Sequence, residues 1–123
     1  MDYMFYGCSS LISLNISNFK TNSYTKINSM FRDCSSLTLI DLSSLNMQNS
    51  NFVGIFHGCS SLKYINMESF NNTNIFSSTD LFDKNIPENG IIILNEIFKD
   101  KEEKFKLLKE KKWELKYNKS LVI

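Results

Sequence analysis

At 123 residues with 42% hydrophobic content, the chain is the size of one domain and carries enough apolar side chains for a continuous core. Its formal charge of +1, from 14 basic and 13 acidic residues, leaves no general field to draw nucleic acid or anionic lipid. Every apolar run stops well short of the about 18 residues of a membrane span, and the first eight residues lack the basic region and apolar stretch of a secretory signal.

The first element met along the chain is also a repeat. Met4-Phe5-Tyr6-Gly7-Cys8-Ser9-Ser10-Leu11 returns as Met30-Phe31-Arg32-Asp33-Cys34-Ser35-Ser36-Leu37 and as Ile55-Phe56-His57-Gly58-Cys59-Ser60-Ser61-Leu62, at spacings of 26 and 25 residues. A degenerate start, Leu81-Phe82-Asp83, follows after another 26, and Phe19, Leu45 and Phe70 recur in step. A fixed period of this length is the signature of stacked structural units. The chain opens on a unit without a polar cap, so we expect the C-terminal piece of a longer solenoid with any export signal upstream.

After each Cys-Ser-Ser comes an L-x-x-L-x-L segment: Leu11, Leu14, Ile16; Leu37, Ile40, Leu42; Leu62, Ile65, Met67. The last two positions of each set alternate as a half-buried strand requires, which predicts one short strand per unit. Stacked at about 4.8 Å, these strands form a parallel ladder, and the Met-Phe-x-x-Cys stretch returns over the opposite face as a helical or 3-10 turn. One unit cannot bury its apolar face alone, so stability comes from neighbours.

Composition changes near residue 83: residues 1–80 hold nine charged side chains and 81–123 hold eighteen. Pro87-Glu88-Asn89-Gly90 is a turn signal, and Ile91-Ile92-Ile93-Leu94 is short and apolar enough for a buried strand. Asp100 with Glu103 suggests an N-cap for a helix over about 101–111, with Phe105 and Leu108 inward. Trp113-Glu114-Leu115-Lys116-Tyr117 alternates as a last strand. The expected architecture is therefore α/β: a leucine-rich repeat solenoid over residues 1–83, with units starting near 4, 30 and 55 and a partial one at 81, closed by a strand-helix-strand cap over 84–123.

Met-Phe-x-x-Cys-Ser-Ser-Leu followed by Leu-x-x-Leu-x-Leu, over about residues 4–83, resembles the BspA-type leucine-rich repeat surface proteins of host-associated bacteria and of protists. The resemblance implies a cell-surface or secreted protein whose repeats bind proteins of a host or neighbouring cell, in an adhesion role. It is met by three departures: no signal sequence or anchor, a short array, and a third unit that degrades after Phe70 into Asn71-Asn72-Thr73-Asn74-Ile75-Phe76.

Chemistry is sparse. Cys8, Cys34 and Cys59 hold one place in successive units with no Cys-x-x-Cys pair, so buried small side chains explain them better than a disulfide between units or a ligand role. His57, the single histidine, aligns with Tyr6 and Arg32, a varied position expected to face water. No nucleophilic constellation, glycine-rich phosphate loop, metal site or cofactor site is read, and no enzyme is expected. In Lys99–Lys112, Asp100, Glu102, Glu103 and Glu110 interleave with the lysines, which describes a solvated face rather than a membrane helix. Asn15, Asn71 and Asn118 open glycosylation-type sequons that matter only in a protein secreted by a eukaryote.

The candidate binding surface is the outward side of the ladder: Ser13, Asn15 and Ser17; Leu39, Asp41 and Ser43; Tyr64, Asn66 and Glu68. Solenoids bind proteins with such regular faces. Leu39 and Tyr64 lead, since exposed apolar and aromatic residues make hot spots, whereas Asn15, Asp41 and Asn66 are also explained as solvated positions of the repeat pattern. The expected function is a non-catalytic protein-binding module. The alternative is a structural spacer or an intracellular, cytoplasmic protist scaffold without a ligand site.

Overall fold

The alternating segments pair as they must to satisfy their backbone groups: β1 (Leu39–Asp41), β2 (Tyr64–Met67), β3 (Ile91–Asn95) and β4 (Glu114–Asn118) make one sheet in that order, all parallel. This is a computed structural model that describes residues 1–22, 25–45, 53–70 and 81–118. The degraded stretch Asn71–Phe76 and the sequon it contains lie outside those residues, as do Lys119 and Ser120 of the last sequon. The class is α/β, with a short helix, α1 (Lys106–Glu110), and two 3-10 turns, Glu96–Phe98 and Glu102–Phe105.

Alternation sorts the side chains. Ile40, Leu42, Ile65 and Met67 are buried, while Leu39 and Tyr64, each one position before the first buried residue of its segment, are exposed. Each buried aliphatic or aromatic side chain contributes roughly 1.5–3 kcal/mol. Leu14 and Ile16, expected on a strand of their own, are not in one. Their stretch lies beside β1, the edge strand of the sheet, and is joined to that unit through the Thr38 N–H on the Ile12 carbonyl at 2.9 Å.

The opposite side departs from expectation: residues 2–7, 28–33 and 53–58 form successive turns, neither α nor 3-10 helix. Their N–H groups alternate between two jobs. Tyr3, Phe5 and Gly7 donate to the carbonyls of Asn28, Met30 and Arg32 in the next unit, while Met4, Tyr6 and Cys8 donate three residues back. The pattern repeats with Ser29, Phe31 and Asp33 donating to Val53, Ile55 and His57. A helix needs every N–H for its own ladder, so donation to a neighbour rules it out. Left-handed backbone follows at fixed places: Tyr3, Ser29 and Gly54, then Gly7, Asp33 and Gly58. At Gly58, φ is 77° and an added Cβ would fall on Asp33, two reasons for glycine there.

Between sheet and turns, Phe5, Phe31, Phe56 and Phe82 stack at centroid separations of 5.6, 6.2 and 5.4 Å, with planes within 14° of parallel. Beside them the Cys34 thiol donates to the Phe5 carbonyl and the Cys59 thiol to the Phe31 carbonyl, each at 3.1 Å.

The chain beyond residue 83 extends the same sheet. Trp113 is 5% exposed and its indole N–H donates to the Pro87 carbonyl at 2.6 Å. Phe98 and Phe105 meet edge to face at 5.5 Å, and Phe105 and Leu108 are buried as the helical pattern requires. The expected single helix is split, and Asp100 does not cap it: the residue at the start of the second 3-10 turn is Lys101, without a side-chain cap. Asn95 caps the earlier turn, its Oδ1 accepting the Ile97 N–H, so the chain is already turning before Asp100.

Candidate functional site

Parallel register turns the outward strand positions into columns. Leu39, Tyr64, Ile91 and Glu114 are direct partners along one, and Asp41, Asn66, Ile93 and Lys116 along the next. Leu39 is 46% exposed and Tyr64 37%, with Ile91 half-buried beside them. The result is an apolar stripe across three strands, edged by Glu114, Lys116 and Lys63. Sequence reasoning missed Ile91, because a run of three isoleucines carries no alternation to say which faces out.

Asn15, Asp41 and Asn66 have a backbone duty. Their Oδ1 atoms accept the N–H groups of Ser17, Ser43 and Glu68 at 2.9, 2.8 and 3.0 Å, so each turns the chain as its strand segment ends. This is the Asx turn, in which the short side chain substitutes for a backbone carbonyl. Asn95 makes the fourth, on Ile97. Ser13, Asn15 and Ser17 are exposed, while Ser43, Asn66 and Glu68 are half-buried. The Glu68 carboxylate accepts from the Asn118 amide at 2.9 Å, which ties the end of β2's unit to β4. A dimple of about 100 Å³ lies among Leu14, Asn15, Ile16, Ser17, Asp41, Ser43 and Ser44. Small-molecule sites are typically several times larger, at roughly 300–1,000 Å³.

The three thiols are free. Burial pushes Cys34 up to about 11 and Cys59 up to about 12 from an ordinary 9.0, and both are fully covered while Cys8 is exposed. Maleimide at neutral pH is therefore expected to label Cys8 in the native protein, and Cys34 and Cys59 only after denaturation, as mapped by mass spectrometry. Since the folded state holds the Cys34 and Cys59 protons more tightly than the unfolded chain, stability should fall as pH rises from about 9 toward 12. A urea midpoint that stays flat over that interval contradicts the assignment.

His57 corrects an expectation. It does not simply face water: the residue is half-buried, and its Nε2 is enclosed without a hydrogen-bond partner. Among the described residues, no group of three or more His, Cys, Asp or Glu could hold a metal ion, and no helix is long and apolar enough to cross a membrane. On the charged surface beyond residue 83, Glu102 accepts from the Lys109 ammonium at 2.6 Å and the Tyr117 hydroxyl at 2.7 Å. These two bonds, that to Lys109 first, hold its carboxyl below the usual range, and burial together with the same carboxylate raises the Tyr117 phenol.

Comparison with known proteins gives one family: a model described as a Mycoplasma protein of unknown function, DUF285, matches residues 1–93 and so ends inside β3. Neither a search of curated proteins nor one of solved structures found a match.

Proposed function

From the premise that the chain belongs to the DUF285 family, which falls in the BspA-like repeat surface-protein group, we propose that it is a non-catalytic protein-binding module. In this reading the parallel sheet is the strand face of a leucine-rich repeat solenoid, and the protein acts in adhesion at a cell surface or after secretion. The observation that carries it is the in-register stripe of Leu39, Tyr64 and Ile91 on the outward side of the sheet. Exposed apolar side chains on a rigid sheet supply the desolvated centre that binding energy needs, and the flanking charges supply a polar rim.

The test is a pull-down from extracellular-matrix and cell-surface extracts with the full chain, compared with the Leu39→Ala/Tyr64→Ala double variant. Both side chains are exposed, so folding stability should stay within about 0.5 kcal/mol. Capture of the principal partner should fall by about tenfold or more, the size of a modest hot spot. Undiminished capture counts against this face.

A second reading, a structural spacer or intracellular scaffold with no ligand site, draws support from the Asx turns. Asn15, Asp41 and Asn66 each close a unit's backbone, which gives these three positions a reason to exist without any partner.

A further inference from the structure

The outward side of the sheet carries its charges in a pattern set by strand order. In the row Asp41, Asn66, Ile93, Lys116 the end positions, on β1 and β4, are a carboxylate and an ammonium, and the two between are uncharged. Asp41 spends Oδ1 on the Ser43 N–H, and its Oδ2 has no hydrogen-bond partner among the described residues. The Lys116 ammonium stands 3.9 Å from the Glu114 carboxylate, a loose surface pair. In the neighbouring row Leu39, Tyr64, Ile91, Glu114, the two central positions are the exposed tyrosine and the half-buried isoleucine. Glu68, farther along, is already tied to the Asn118 amide.

Such a face is complementary to itself. A two-fold axis running along the strands between β2 and β3 sets a second copy on the first so that β1 faces β4 and β2 faces β3. Asp41 then meets Lys116 of the second copy, and Lys116 meets its Asp41, while Tyr64 and Ile91 of each copy close on Ile91 and Tyr64 of the other. Leu39 lies along the aliphatic stem of Glu114, and Lys63 of the second copy, opposite Gly90, is one strand and one residue from the Glu114 carboxylate, about 6 Å in the plane of the sheet. A two-fold across the strands instead sets Leu39 on Asp41 and Tyr64 on Asn66, apolar against polar.

Resting on the reading of the strand face as a protein-binding surface, we propose that its partner is a second copy of this chain, the two sheets packed face to face about the axis between β2 and β3. Opposite charges at equal distances from that axis, with apolar side chains on it, select a second copy over an unrelated protein. Four strands about 4.8 Å apart offer less than the about 800 Å² per partner of a standard interface, so the dimer is of the weak, transient class, with a dissociation constant on the order of 0.1 mM.

The test is sedimentation equilibrium of the purified full chain at concentrations up to about 1 mM. The unaltered chain should dimerise, and less so as salt rises, since exposed ion pairs are screened. Lys116→Glu sets carboxylate against carboxylate at both ends of the contact and should weaken the dimer at least about tenfold. Adding Asp41→Asn to it keeps the Oδ1 acceptor for Ser43 and turns an amide N–H toward the new carboxylate, so most of that loss should return. Lys106→Glu, the same charge change on α1, should leave the dimer unaltered. A chain that stays monomeric throughout overturns the inference, whereas the pull-down from extracts still reads independently whether the face binds a different protein. A dimer indifferent to Lys116→Glu overturns it as well. So does a loss that Asp41→Asn fails to recover, the result expected of the two-fold across the strands, where residue 116 faces Glu114.

Discussion

Phe56→Ala is expected to remove about 3–5 kcal/mol of folding stability, the range for truncating a buried aromatic side chain, measured as a lowered urea midpoint. Phe56 is fully buried and lies between Phe31 and Phe82, with both rings nearly parallel to its own. The variant loses the burial of one ring and both stacking contacts, and neighbouring units cannot close the gap because their backbones are bonded to each other through the Phe31 N–H on Ile55 and the Phe56 N–H on Leu81. A domain of ordinary stability has about 5–15 kcal/mol in total, so the loss takes a large share of it. Phe5→Ala is the internal comparison. Phe5 is half-buried and stacks on Phe31 alone among its repeat counterparts, so its loss should be clearly smaller. Equal losses at the two positions would mean that the column does not stabilise the fold as a column.

Gly90→Ala is expected to cost about 2–4 kcal/mol by a different route, overpacking together with a lost buried hydrogen bond. An added Cβ at Gly90 would fall on the six-membered ring of Trp113. The indole cannot yield without breaking its N–H bond to the Pro87 carbonyl, and the Glu114 N–H on the Gly90 carbonyl ties the same point to the start of β4. Trp113 is the single tryptophan, so its fluorescence reads the site directly. Red-shifted emission with a lowered urea midpoint is the expected pair of results. Unchanged emission at unchanged stability would show that the ring has room to move.

Much of this arrangement was legible in the residues because the apolar positions recur at fixed intervals. Ile40, Leu42, Ile65 and Met67 are buried as the alternation demands, and Ile91–Leu94 and Trp113–Tyr117 fall on or beside observed strands. What a period cannot say is where each N–H points. The alternating turn bonds of residues 2–7 and their equivalents look, in sequence, like a helical turn. Nor does a period register position in the sheet: Leu14 and Ile16 repeat Ile40 and Leu42, yet of these four only Ile40 lies in a strand, β1, which pairs with β2.

For the candidate face, the columns of Leu39, Tyr64, Asp41 and Asn66 followed directly from alternation. The Asx turns did not, since Asn, Asp and Asn on an outward position suit solvent as well as they suit an N–H two residues on. The position of His57 is not legible in the same way, because variation among Tyr6, Arg32 and His57 resembles that of a solvated site, whereas enclosure of Nε2 depends on neighbours that the repeat pattern does not reveal.

The alternating donors of the turns also set where the chain's length can drift. Phe5 to Leu14, Phe31 to Ile40 and Phe56 to Ile65 each span nine positions, whereas Leu14 to Phe31 spans seventeen and Ile40 to Phe56 sixteen. One residue inserted between Tyr3 and Gly7, or at the equivalent places, would exchange the inward and onward donors in the rest of that turn. Insertions and deletions are thus tolerable on the way back from strand to turn and forbidden on the way out, a rule for aligning or lengthening these chains.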